Sequence, residues 1–313
     1  MPESVAAKAA SPVPAMGSIM TIMPRPPHSP RSFRSAFAVI LGTNEIASAI
    51  AVDLYRAGWS AVLSHDPHPP VIRRQMAFHD ALFGDCAELD GVKAKYAETT
   101  LATAMLLGSG DCVAVTRLGL LDLIPMATVH LLVDARMQDR AVVPDIRHLA
   151  GITVGVGPGF SVGENCDIAI ETQPTKNGIT LFAGRTAAPA SKERRLGGVG
   201  TERFAFAKSA GRWHCAVEIG TRVFKNFPVG VLNGEAVTAP IDGIVRGIVR
   251  DGTEVFTGMK ILEIDPRGRC ATWEGIDKGG RDIAQAIITA LTYGQPRPAK
   301  TDAAKRLSAR QSG

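Results

Sequence analysis

The chain reads as an α/β domain built on a parallel sheet, followed by a β-rich domain and a C-terminal helix. Two observations carry this reading. Residues 36–66 run strand, turn, helix, strand, the pattern of a βαβ unit. Residues 207–232 and 239–264 match without a gap at an offset of 32, pairing Ala207 with Ala239, Gly211 with Gly243, Val217 with Val249, Gly220 with Gly252, Thr221 with Thr253, Val223 with Val255 and Phe224 with Phe256. At 313 residues there is room for two cores. The domains are set at 36–190 and 191–275 and the helix at 276–293, leaving disordered tails at 1–35 and 294–313.

The first tail is rich in Ala, Pro, Ser and Met and has no compact apolar stretch, so neither a secretory signal nor a packed core is expected of it. AFAVILG (36–42) is then an apolar strand ending in glycine, and EIASAIAVDLYRAG (45–58) repeats apolar residues at helical spacing through Ile46, Ala49, Ile50, Leu54 and Ala57. WSAVLSHD (59–66) is the second strand, and the right-handed crossover makes the pair parallel. The turn GTNEIA departs from a dinucleotide fingerprint: Gly42 and Ala47 fit the first and third positions, but Asn44 replaces the middle glycine. Asn tolerates positive φ, so the turn can form, but its side chain would crowd a phosphate. Asp66 stands where a ribose-binding carboxylate could stand. Nucleotide binding and a fold retained for structure are the two readings.

DCVAVTR (111–117) and ATVHLLVDAR (127–136) read as further buried strands, so Asp134 and Arg136 should emerge at the carboxyl edge of the sheet, either as ligand contacts or as a strand-end ion pair. Two more strands, ITVGV and CDIAIET, flank a loop in which Gly155, Gly157 and Gly159 favour exposed N–H groups able to cradle an oxyanion; a Gly-rich hairpin without a ligand is the alternative. His65 and His68 form only a weak metal-ligand spacing, and no metal site is expected.

Each copy of the repeat is a set of short strands broken by glycine turns. One copy has too little apolar surface for a core, so two packed about a pseudo-twofold axis are expected. That arrangement resembles the barrel-sandwich fold of biotinyl and lipoyl carriers. The hairpin LNGEAVT (232–238), where a carrier would place its modified lysine, has none. A rigid platform presenting Asp265 and Arg267 toward the glycine loop is expected instead of a mobile arm. In the last helix, Ile283, Ile287, Ile288 and Leu291 share one face, suited to docking on the first domain or a partner.

Charge and cysteine usage exclude several classes. The formal net charge is +5, but residues 1–35 carry net +3 and residues 296–313 net +4, leaving about −2 on the folded part. Nucleic acid is therefore not the expected partner. No stretch approaches a membrane span. Five widely spaced cysteines, an odd number without a C-x-x-C, suggest a reducing cytosol and a cytoplasmic protein.

Taken in order, PPVIRR (69–74), VDARM (133–137), GVGPGF (155–160) with CDIAIET (166–172), LGGVGTER (196–203), IDPRG (264–268) and IDKGG (276–280) resemble the accessory-protein family linked to selenium-dependent molybdenum hydroxylases. The resemblance spans roughly residues 36–292. It implies a Rossmann-like first domain, similar in style to the accessory factors of xanthine dehydrogenase that handle molybdenum cofactor, followed by a barrel-sandwich domain. The chain departs from the family at Asn44, where a glycine is usual, at QPTKNG (173–178), which lacks the usual Arg-Gly-His, and at Lys208, where a proline is usual. The leading expectation is an accessory protein that binds a molybdopterin-type cofactor or its nucleotide moiety and assists a molybdoenzyme, with Arg73, Arg74, Arg136 and Arg267 available to pair with phosphates. The alternatives are an NAD(P)- or pterin-dependent enzyme of one-carbon or purine metabolism, and a scaffold that binds a protein partner or a second copy of itself. No catalytic residue is assigned.

Overall fold

The hydrophobic runs of the first part are buried on both faces, and alternate residues of one strand enter different cores. In a computed structural model, which describes residues 36–84, 86–138, 142–189 and 193–293, β1 (Phe37–Leu41) sends Ala38 and Ile40 to one face and Phe37, Val39 and Leu41 to the other. Both expected tails fall outside the described residues. Beside β1 lie β2 (Ser60–Ser64) and, on its other side, β6 (Leu131–Asp134), both parallel to it. The remaining strands of this sheet are β3 (Cys86–Leu89), β4 (Val92–Tyr96), β5 (Val113–Thr116), β7 (Ile152–Val156), β8 (Ile168–Ile170) and β9 (Thr180–Leu181). Their spatial order is β3-β4-β5-β2-β1-β6-β7-β8-β9, parallel from β4 to β8, with β3 and β9 added antiparallel at the edges.

Helices cover the two faces. Helix α1 (Glu45–Arg56) buries Ala47, Ala49, Ile50 and Leu54 against the first face, and α4 (Lys278–Tyr293) packs on it through Ile283 and Ile287. The expected docking of the last helix onto the first part is therefore what occurs. On the opposite face, Leu107 from α2 (Thr100–Ser109) and Leu123 from the short α3 (Leu120–Leu123) enter the core.

The second part contains two antiparallel four-stranded sheets. One is β10 (Phe204–Phe206), β17 (Lys260–Asp265), β15 (Gly243–Ile248) and β12 (Arg222–Val223), in that order. The other is β14 (Glu235–Thr238), β13 (Pro228–Leu232), β11 (Gly211–His214) and β16 (Glu254–Val255). Each sheet mixes strands from both copies of the repeat, and the pairings correspond at the sequence offset. Trp213 N–H donates to Thr253 O at 2.9 Å, as Val245 N–H donates to Thr221 O at 2.9 Å; Gly252 N–H reaches Trp213 O as Gly220 N–H reaches Val245 O, both at 2.8 Å. Val223, Val245, Val249, Val255, Ile261 and Trp213 fill the shared core. At the hairpin Asn233-Gly234, Asn233 donates to Ser209 Oγ and to Ala210 O at 3.1 and 2.6 Å, so this tip is tied down.

The two parts meet through residues 72–74. Ile248 N–H donates to Ile72 O at 2.8 Å, and a Cβ at Gly247 would come within 3.0 Å of that same oxygen, which explains the glycine. Among the described residues no helix is long and apolar enough to cross a membrane.

Candidate functional site

The parallel strands direct their carboxyl ends to one edge of the sheet. The chain adds strands on one side of β1 through β2, β4 and β5, then on the other through β6, β7 and β8, so the switch lies between β1 and β6. Beside it is a cavity of about 340 Å³, lined among others by Leu41, Ser64, His65, Asp66, Arg136 and Asp145. Of the residues expected from sequence, Asp66 and Arg136 therefore share one wall.

Arg136 is held from three directions. Its Nε and Nη2 donate to Asp134 at 3.0 and 2.6 Å, its main-chain N–H donates to Asp134 Oδ1 at 3.2 Å, and Nη1 lies 3.5 Å from Asp66 Oδ2. Hydrogen bonding to Asp134, with the charges of Asp134 and Asp66, holds the guanidinium above its ordinary pKa despite partial burial. Asp66 also accepts from His68 N–H and from Gln138 Nε2, both at 2.9 Å. Two carboxylates, Asp66 and Asp145, line the cavity with Arg136; the buried Asp134 clasps Arg136 from behind, and Arg147 is bonded to Asp145 at 2.7 Å. Positive charge is not in excess here.

Behind the cavity lies a cluster that sequence reasoning missed. Thr43, almost fully buried, places Oγ1 3.1 Å from His65 Nδ1 and 3.0 Å from His79 Nδ1. The two rings lie 5.2 Å apart, and Phe83 is 5.5 Å beyond His79. Burial, with the Arg117 charge, pushes His65 down to about 4; burial, then His65 and Arg74, pushes His79 down to about 3. Both imidazoles are neutral at pH 7. His65 and His68, the weak pair in the sequence, part company: the ring of His68 lies 5.2 Å from Phe256. The only sequence signal for the cluster was a histidine at the end of an apolar strand.

The turn after β1 corrects the sequence reading. Asn44 has φ −73°, not the positive φ that asparagine tolerates; Gly42, at φ +109°, makes the turn, and a Cβ there would meet Ala135 O at 3.0 Å. Asn44 is the N-cap of α1: its Oδ1 accepts from Ile46 and Ala47 N–H at 3.0 and 2.9 Å, while Nδ2 donates to Ala135 O at 2.7 Å. The amides that would face a pyrophosphate already have an acceptor.

The glycine loop is likewise spent on its own structure. Gly157 and Gly159 take positive φ, and a Cβ at Gly155 would overlap the Phe160 ring. Gly157 N–H donates to Ile170 O, Phe160 N–H to Thr186 Oγ1 and Ser161 N–H to Asn165 Oδ1 at 3.1, 3.2 and 2.8 Å. Within the expected cradle at 155–160, the N–H groups of Gly157 and Phe160 are therefore occupied, as is that of the following Ser161.

The remaining arginines sit elsewhere. Arg73 binds the fully buried Glu263 through Nε at 2.6 Å and Nη2 at 3.2 Å, and Glu45 through Nη1 at 2.8 Å. Arg74 binds Asp80 at 2.7 Å and Ile248 O at 3.1 Å. Arg267 clasps Asp265 as Arg136 clasps Asp134, with Nη2 to Oδ2 at 2.6 Å, and Thr272 Oγ1 at 2.8 Å. The neighbours of Asp265 and Arg267 are Arg246, Thr272 and Gly197, whereas the glycine loop borders Met137, Val143 and Thr172. The expected juxtaposition of these two motifs is not made by those contacts. No group of three or more metal-ligating side chains is present among the described residues.

No family model matches the chain. It is 32% identical over 259 residues to the uncharacterized protein YqeB of Escherichia coli K12, an alignment covering 81% of this chain and 47% of that protein. The chain thus spans about half the length of the curated relative it matches. Among solved structures, the apo form of the ectoine utilization protein EutE (DoeB) from Ruegeria pomeroyi is 13% identical and covers 74% of this chain and 86% of that one, with a TM-score of 0.22. A score that low carries no argument about fold or chemistry.

Proposed function

We propose that this is a cytosolic accessory protein that holds a molybdopterin-type or nucleotide-bearing cofactor in the carboxyl-edge cavity and assists maturation of a molybdoenzyme. The observation that carries the reading is the cavity itself, at the switch point and walled by Asp66, His65 and Arg136. Its rim suits the ring or sugar end of such a molecule better than its phosphates: carboxylates accept from N–H and O–H groups, and the two glycine turns have spent N–H groups that would otherwise bind an anion. The strand order about β1 supports reading the first part as Rossmann-like, and the strand exchange between repeats supports reading the second as a barrel-sandwich unit without its lysine. In that reading the second part is a platform for the partner enzyme.

Asp66 after β2 also favours a second reading, an NAD(P)-dependent enzyme, because a ribose-binding carboxylate stands at that place in dinucleotide sites. Mass spectrometry and ultraviolet spectra of the molecule that copurifies with the native chain separate the two. A pterin or nucleotide retained by the native chain and lost in Asp66→Ala is the expected result. NAD(P) retention with turnover would replace the first reading by the second, and equal retention by Asp66→Ala would remove the cavity from both.

A further inference from the structure

We infer that the cavity recognises the lactam edge of a fused heterocycle, a pterin or guanine ring, with His65 Nε2–H donating to the ring carbonyl and Asp66 accepting from the ring N–H. This rests on the proposal that the cavity is the binding site and names what it selects.

The donor follows from proton counting. Thr43 is buried and, among the described residues, its hydroxyl bonds only the two Nδ1 atoms; accepting from both would leave its own proton without an acceptor, so it donates to one ring and accepts an N–H from the other. The two neutral histidines therefore carry opposite tautomers. His79 is surrounded by the charges of Arg74, Arg250 and Arg117. No anion is among these charges, and cations favour a lone pair, not an N–H, on its Nε2, which sets its proton on Nδ1 and directs it to Thr43. The Thr43 proton then goes to His65 Nδ1, leaving the His65 proton on Nε2. Around His65 the charges of Arg117 and Asp66 oppose one another, so the Thr43 contact sets its tautomer, and His65 lines the cavity. Burial keeps the ring from becoming an imidazolium, so it offers one fixed donor.

The acceptor follows from the same kind of count. A carboxylate has about four lone-pair positions. Asp66 Oδ1 uses one on His68 N–H, while Oδ2 takes Gln138 and faces Arg136. Oδ1 keeps capacity for a ligand N–H. A donor and an acceptor on consecutive residues complement C=O beside N–H, which guanine and pterin share and adenine reverses. A site built to hydrogen-bond a group rejects the analogue lacking it, because its own buried polar atoms lose their partners.

Two experiments on the full chain test this. With ¹⁵N-labelled histidine at pH 7, long-range proton–nitrogen spectra should show His65 as the Nε2–H tautomer and His79 as Nδ1–H, both neutral; Thr43→Val should release His65 into a tautomer mixture. The reverse assignment, or a charged His65, in the unmodified chain overturns the donor role whether or not the Thr43 variant folds. Calorimetry with pterin, guanosine, inosine and adenosine should place adenosine about tenfold or more weaker than guanosine, the equivalent of one net hydrogen bond. Pterin and guanosine separate the two sources of the same edge. Asp66→Asn should erase the preference. Equal binding of adenosine and guanosine overturns the lactam inference and leaves the cavity as a site; binding of none of the four overturns both.

Discussion

Asp134, Asp145 and Asp265 each clasp the arginine two residues on in the same way, with the arginine Nε on Oδ1, its Nη2 on Oδ2 and its main-chain N–H on Oδ1. Such a clasp closes within three residues and needs no ligand, so a D-x-R at a strand end is first of all a self-contained ion pair. Its recurrence could have been counted in the sequence; its geometry could not. What distinguishes Arg136 is Asp66 from the loop after β2, and what distinguishes the site is a histidine pair held neutral. That pair sets a pH dependence. Both folded pKa values lie below the ordinary 6.5, so between pH 6.5 and about 4 for His65, or about 3 for His79, the unfolded chain binds more protons than the folded one. Their contribution is full above pH 6.5 and lost as pH falls, by about 1.4 kcal/mol per pH unit for each fully titrating ring. Urea denaturation at pH 7.0, 5.5 and 4.5 should show that loss in the native chain and a shallower one in His79→Gln. A variant with an unchanged slope would mean that His79 is not the group protonated on unfolding. His79 could not be foreseen as a neighbour of His65, because a separate 3₁₀ turn, Phe78–Leu82, delivers it.

Elements were legible where one face alone is apolar. Helices α1 and α4 announce their buried faces by spacing: Ile50, Ile283 and Ile287 are buried as expected, while Ile46 and Ile288 are only partly so. The β3–β4 hairpin escaped notice because Lys93 and Lys95 alternate with Val92 and Ala94 at the edge of the sheet, where half of a strand is solvated. The start of α1 was legible as a turn but not as a cap. Asn44 takes the first-turn amides for itself, which couples helix stability to closure of the turn against Ala135. Asn44→Ala should therefore cost about 1 kcal/mol, with Asn44→Gly costing a few tenths in the cap itself. Equilibrium denaturation decides: equal losses in the two variants would show that the bond to Ala135, not the cap, carries the effect.

At the scale of the molecule, the repeat was visible because its glycines and valines recur at one offset, and the strand exchange follows from that symmetry. The joint between the two parts was invisible, since Arg73 and Glu263 are 190 residues apart. Glu263 has no exposed surface and meets Arg73 at 2.6 Å, Arg203 at 3.1 Å and Arg246 at 3.7 Å. Burial pushes its carboxyl up, but the charge and hydrogen bonds of Arg73, with Arg246 and Arg203, outweigh it and hold the pKa below the ordinary value. Arg246 in turn reaches Asp277 at 3.0 Å, just before α4, so one carboxylate ties residues 72–74, β17 and the approach to the last helix together. Replacing both sides of such a cluster by apolar residues can be neutral, whereas deleting one partner strands the others in a dry interior. Glu263→Ala leaves three guanidinium groups short of a shared acceptor, and a loss of about 3–5 kcal/mol is expected. The location of the damage is the sharper test. Hydrogen exchange should rise together at Ile248, whose N–H is bonded to Ile72, and along β17, while the parallel core of β1, β2 and β6 keeps its protection. If β1 and β2 lost protection to the same degree, the two parts would unfold as one cooperative body and the cluster would be a common core, not a joint.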